Sequence, residues 1–73
     1  MADELGNTLR AAREARGLTQ AQLAELIGVS RKTINTVENG IFVPSTLIAL
    51  KLAWALETRV EALFFLAEEG TAE

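Results

Sequence analysis

The sequence predicts an all-α fold of five short helices in one domain, and three observations carry that prediction. Apolar residues recur at three- and four-residue spacing through most of the chain, as one buried stripe per helix requires. Hydroxyl side chains able to satisfy free amide groups stand just ahead of those stripes, at Thr19, Ser30, Ser45 and Thr58. The glycines occur singly, and Gly17 and Gly28 fall where a stripe stops.

The first helix is expected from about Asn7 to Arg16, or from Asp3, since either Asn7 or Asp3 offers an N-cap. Leu5, Leu9, Ala12 and Arg16 share its inward stripe, with Arg13 beside it. Arg10 and Arg16 read equally well as solvated surface charge. Thr19 and Gln22 form a capping box for the second helix, whose apolar face is Leu23, Ala24 and Ile27. Gly28 ends it and Val29 plugs the turn. Ser30 caps the third helix, where Ile34 and Val37 point inward and Arg31, Lys32, Thr33, Asn35 and Thr36 are left outside. Ile41 to Pro44 is a loop, because proline biases Val43 toward an extended backbone. The fourth helix, capped by Ser45, runs from Thr46 to Leu56 and carries two stripes. Ile48, Ala49, Leu52, Ala53 and Leu56 share one face; Leu47, Leu50 and Trp54 lie roughly opposite. The last helix is expected from Thr58, with a capping box through Glu61. It sends Val60, Leu63 and Phe64 inward and leaves Phe65 and Leu66 over. Residues 1–67 thus form the domain, and 68–73 read as a flexible acidic tail.

Composition narrows the function. A chain of 73 residues is near the size at which one core barely supports a fold, so an apolar surplus can be buried in a partner. With neither His nor Cys, the commoner metal ligands and any disulfide are absent, and no metal or cofactor is expected. His, Cys and Tyr are all missing, no glycine-rich phosphate cradle is present, and the adjacent Glu68 and Glu69 lie in the tail, so an enzyme is not expected. No effector pocket for a small molecule is evident. No apolar run reaches the ~20 residues of a membrane-spanning helix, and the acidic N-terminus is unlike a secretory signal, which makes the cytoplasm the default.

The net charge of −3 disfavours nucleic acid only as an average. Between Thr8 and Thr36, Arg10, Arg13, Arg16, Arg31 and Lys32 face only Glu14 and Glu25, a balance of +3. From Ile41 onward the balance is −3. Local field decides whether phosphates are attracted. Two short helices joined by a tight turn over residues 19–40, the second bearing outward cations, are the arrangement that sets a helix into a DNA groove.

Residues Leu9 to Phe64 resemble the helix-turn-helix family of the phage repressors and Cro, the XRE family. The matching run is LRAAREARGLTQAQLAELIGVSRKTINTVENG, followed by VPS and ALETRVEALF. The close, VEALFFLAEE, is similar to the short stand-alone regulators of that family. The resemblance implies a repressor/Cro-like fold and a transcriptional regulator of double-stranded DNA, more readily a repressor than an activator. It implies phosphate contacts at Gln20 and at Asn39 with the amide groups that follow, and at the cap residues Thr19 and Ser30. Arg31, Lys32 and Thr36, flanked by Thr33 and Asn35, would meet base edges in the major groove. Arg13 and Glu38 match positions where relatives place a buried ion pair; the alternative is two unrelated surface charges.

Two departures stand out. Relatives commonly carry glycine where this chain has Glu57, and polar residues where it has Leu47 and Trp54. Trp54 could lie flat over Leu50 and the Lys51 stem, or it could join Leu47, Leu50, Phe65 and Leu66 in a homodimer interface. The latter implies an inverted-repeat operator with recognition helices ~34 Å apart. A competing reading is an antitoxin or other protein-interaction module on the same fold. Salt distinguishes them, because phosphate contacts weaken steeply with ionic strength.

Overall fold

The computed structural model describes residues 4–67. Five helices, α1 (Leu9–Ala15), α2 (Gln20–Ile27), α3 (Arg31–Glu38), α4 (Thr46–Ala55) and α5 (Val60–Leu63), enclose one core. Two short strands, β1 (Glu4–Asn7) and β2 (Phe64–Ala67), precede and follow them. The acidic segment 68–73 and a first-helix start at Asp3 lie outside the described residues.

The core is filled from every helix. Leu9, Leu23, Ile34, Val37, Leu52 and Leu63 are wholly buried, and Ile27, Ala53 and Leu56 nearly so. Each of the larger side chains contributes ~1.5–3 kcal/mol by leaving water. The middle helices start at the expected hydroxyls. Thr19, Ser30 and Ser45 accept the amide hydrogens of Gln22, Thr33 and Ile48 at 3.0, 3.1 and 3.2 Å, and Gln22 returns a bond to the Thr19 amide at 2.8 Å. Three of the helices close with the same pair of bonds around a left-handed residue. That residue is Gly17 after α1 and Gly40 after α3, but after α4 it is Glu57, with φ of 54°. Glu57 donates its amide to Trp54 and Thr58 donates to Ala53, so α4 closes without glycine. A side chain in this conformation costs about 1–2 kcal/mol. Glu57 also pairs with Arg16 at 2.8 Å across the surface.

The chain ends differ from the sequence expectation. The first helix begins at Leu9 rather than Asn7, because residues 4–7 are extended and pair antiparallel with 64–67. Glu4 stands opposite Ala67, Leu5 opposite Leu66, Gly6 opposite Phe65 and Asn7 opposite Phe64. Asn7 is therefore a junction: Oδ1 accepts from the Leu9 amide at 3.0 Å while Nδ2 donates to the Val37 carbonyl at 3.0 Å. Leu5 reaches the core from a strand, Arg16 is exposed, and Arg13 takes the inward place on α1. At the other end the Thr58–Glu61 capping box does not form. Thr58 closes α4, Arg59 stands at the α5 N-cap without a side-chain bond, and the backbone becomes extended at Phe64 after a single turn. Phe64–Phe65–Leu66 is a β-prone run, and β1 supplies the ladder partners it needs. A lone two-stranded ribbon is marginal, so this one depends on Leu5 and Phe64 packing on the core.

Phe65 lies over Gly6, where an added Cβ would collide with its ring. The strand also sends Phe65 and Leu66 to opposite faces, whereas a helix would set them side by side. On α4, Trp54 is 74% exposed, so it does not lie flat over its own helix. Among the described residues, no helix is long and apolar enough to cross a membrane, and no group of carboxylates could hold a metal ion.

Candidate nucleic-acid interface

The turn between α2 and α3 is set by backbone chemistry. Gly28, with φ of 77°, lets the Gly28 and Val29 amides both reach the Ala24 carbonyl, at 2.9 and 3.0 Å. Ser30 then starts α3 at once. Ile34 and Val37 bury its inner stripe, which turns the other faces outward.

Arg31, Lys32 and Asn35 are exposed, and their side-chain polar atoms make no hydrogen bond or ion pair among the described residues. Two cations thus sit on the first turn, where unpaired helix amides add positive potential. Thr33 and Thr36 are half-buried. The Thr33 hydroxyl is 3.0 Å from Ser30 Oγ, and Thr36 Oγ1 donates back to the Lys32 and Thr33 carbonyls at 3.0 and 3.1 Å. Thr36 therefore offers a ligand its methyl and lone pairs rather than a hydroxyl hydrogen. Asn39 is exposed and gives one Nδ2 hydrogen to the Asn35 carbonyl at 2.8 Å. The amides after it differ from expectation. Those of Gly40, Ile41 and Phe42 already bond to the Val37 and Thr36 carbonyls, so they close α3 instead of facing a phosphate. Thr19 is exposed, with its oxygen holding the α2 cap.

Beneath α3 lies a polar brace. Arg13 Nε donates to Glu38 Oε2 at 2.6 Å and Nη2 to Oε1 at 3.3 Å, while Nη1 reaches the Leu18 carbonyl at 2.8 Å. The Glu38 side chain is fully covered and that of Arg13 is 10% exposed. Gln20 Nε2 also donates to Glu38 Oε1, at 3.0 Å, and Arg10 approaches it at 3.4 Å. One carboxylate so ties α1, the start of α2 and the end of α3 together. Burial alone would raise the Glu38 pKa, but the hydrogen bonds from Arg13 and Gln20, with the charge of Arg13 and a bond from Arg10, hold it below the ordinary carboxylate range. The bond to Glu38 raises that of Arg13 against the opposing effect of burial.

Sequence reasoning missed the Gln20–Glu38 bond. No local pattern signals it, because it joins residues 18 apart in sequence through the packing of α2 on α3. Gln20 Nε2 retains a second hydrogen at the start of α2, since a carboxamide nitrogen carries two donors.

A short helix braced by a buried carboxylate, with exposed cations and an amide on its outward first turns, is the arrangement of a helix-turn-helix protein. The chain belongs to the Helix-turn-helix family, of XRE type, whose family model matches residues 9–63. That family is one of DNA-binding transcriptional regulators, not enzymes. The chain is 40% identical over 64 residues to the uncharacterized HTH-type transcriptional regulator YgzD of Bacillus subtilis, covering 88% of this chain and 97% of that one. It is 44% identical over 66 residues to the HTH-type transcriptional repressor RghR of the same organism, covering 89% of this chain and 49% of that one. Among solved structures it is similar to the restriction-modification controller protein C.AhdI from Aeromonas hydrophila, with a TM-score of 0.71 and 41% identity over 74% of this chain and 82% of that one.

Proposed function

We propose that this regulator is a repressor that binds an inverted-repeat operator as a homodimer, with α3 in the major groove. The observation that carries it is the outward start of α3, where Arg31, Lys32 and Asn35 are exposed and, among the described residues, unpaired, while Glu38 anchors the far end. Arg31 reads a guanine, since a guanidinium matches O6 and N7 in the plane of the base. Lys32 serves a base or a phosphate, and Asn35 has both donor and acceptor for a base edge. Thr33 and Thr36 contribute methyl and acceptor groups. Thr19, Gln20, Ser30 and Asn39 flank the groove on phosphates and set register. Repression is supported by the relative RghR, a repressor by name. The homodimer is supported by Leu47, Leu50 and Trp54, exposed by 61, 55 and 74% on one face of α4; Phe65 and Leu66 are exposed on opposite faces of β2, so one of the two can join that face. A twofold axis makes such a face self-complementary.

Selection of bound sites from random duplex DNA tests the reading. The selected operator is an inverted repeat with a guanine in each half-site. Arg31→Ala relaxes the preference at that guanine by ~1–3 kcal/mol, whereas Gln20→Ala weakens all sequences alike. Affinity falls steeply between 50 and 200 mM salt. The reverse pattern for the two variants, or indifference to duplex DNA at low salt, overturns it.

A further inference from the structure

The loop after α3 exposes three consecutive apolar residues, Ile41, Phe42 and Val43, by 76, 44 and 68%. Such a run on a small soluble domain marks a contact surface. The three do not face one way. Val43 lines a groove with Leu50 and Phe64, on the side of the exposed α4 stripe. Ile41 and Phe42 instead form one wall of a cleft of about 320 Å³ whose other lining residues are Ser30, Lys32, Thr33 and Thr36. This cleft is therefore part of the DNA-facing surface.

Its chemistry is specific. The Ile41 and Phe42 amides both donate to the Thr36 carbonyl, at 2.9 and 3.2 Å, which pins the loop against α3. With those donors engaged, and the Thr36 hydroxyl hydrogen bonded to its own helix, the cleft sets the Ile41 and Phe42 side chains and the Thr36 methyl on one side and the Lys32 ammonium with the paired Ser30 and Thr33 hydroxyls on the other. Among the described residues no carboxylate lines it. A phosphate would be met by Lys32 and the Ser30 and Thr33 hydroxyls; the Ile41–Phe42 side offers it no donor. The feature of a major groove that fits an apolar wall is the thymine C5-methyl group.

The geometry points to Ile41 and Phe42 as specificity-determining residues that read thymine methyl groups next to the base contacted by Lys32. This rests on the placement of α3 in the major groove. It adds a discrimination that hydrogen bonding cannot supply, because thymine and uracil present the same donors and acceptors.

The test uses the full chain and its selected operator, with each thymine replaced in turn by deoxyuridine. At one or two positions per half-site the loss of a methyl weakens binding about fourfold. Ile41→Ser and Phe42→Ser abolish that difference while keeping the Arg31-dependent guanine preference, the salt dependence and the melting temperature. Equal affinity for thymine and uracil at every position, or a methyl effect that survives both substitutions, overturns the inference while the DNA-binding reading stands. A chain that selects no duplex sequence overturns both.

Discussion

α3 and α4 are built alike: each starts at a serine cap, buries one stripe and turns another face outward. Their outward faces differ in kind. On α3 it is Arg31, Lys32 and Asn35, and the helix is held from below by a carboxylate with three cationic or amide partners. On α4 it is Leu47, Leu50 and Trp54, and the helix is held by apolar packing of Leu52, Ala53 and Leu56. A helix that must present polar groups to a charged surface gains from a brace that fixes its orientation by directed bonds. A helix that meets another apolar face needs only a firm, non-directional base. The same small fold therefore divides its surface between a polar face and an apolar one.

The largest expected effect concerns the brace. Arg13→Ala strands the covered Glu38 carboxylate and costs about 3–5 kcal/mol in a thermal melt, whereas exposed Arg10→Ala costs under ~0.5. Equal, small effects would show that α3 is held by packing alone, as α4 is. The same carboxylate gives a pH signature. Its pKa is lower folded than unfolded, so its stabilisation is complete above the ordinary glutamate value and is lost as pH falls through the depressed one. Glu38→Gln removes that part of the acid limb.

Next comes the apolar face. In sedimentation the wild-type chain is a dimer at micromolar concentration, and Trp54→Ser combined with Leu50→Ser makes it monomeric with little change in monomer stability. Losing the second half-site lowers operator affinity about 10²-fold, and a single half-site binds as before. A wild-type chain that sediments only as monomer would remove the contrast between the two faces.

The smallest effect is at Glu57. Glycine there relieves the left-handed strain, offset by greater freedom of the unfolded chain and loss of the exposed Arg16 pair. Glu57→Gly should raise stability by about 0.5 kcal/mol, or ~2–4 °C in melting temperature. A lower melting point would mean that Arg16–Glu57 matters more than its exposure suggests.

The middle of the fold was legible because its signals are local. The Thr19, Ser30 and Ser45 caps, and the stripes they precede, each lie within one or two turns. The ends were not. Four residues such as Phe64 to Ala67 fit either period, and what makes them a strand is Glu4–Asn7, far away in sequence. Glu57 hid its left-handed turn because glycine is the usual marker of one. On the outward face of α3, the exposed set followed from the buried positions of Ile34 and Val37. Which hydroxyls and amides are already bonded did not follow, since those bonds depend on rotamers and on how α1, α2 and α3 meet.

The β1–β2 ladder has one more consequence. It joins Glu4 to Ala67, and Thr8 bonds to the Ala62 and Leu63 carbonyls beside it, so it closes a loop spanning nearly all the described chain. Closing so long a loop repays its entropy only once the helices between have assembled. The seam should thus be a late event in folding and an early one in opening, and its unzipping would unseat Phe65 from Gly6.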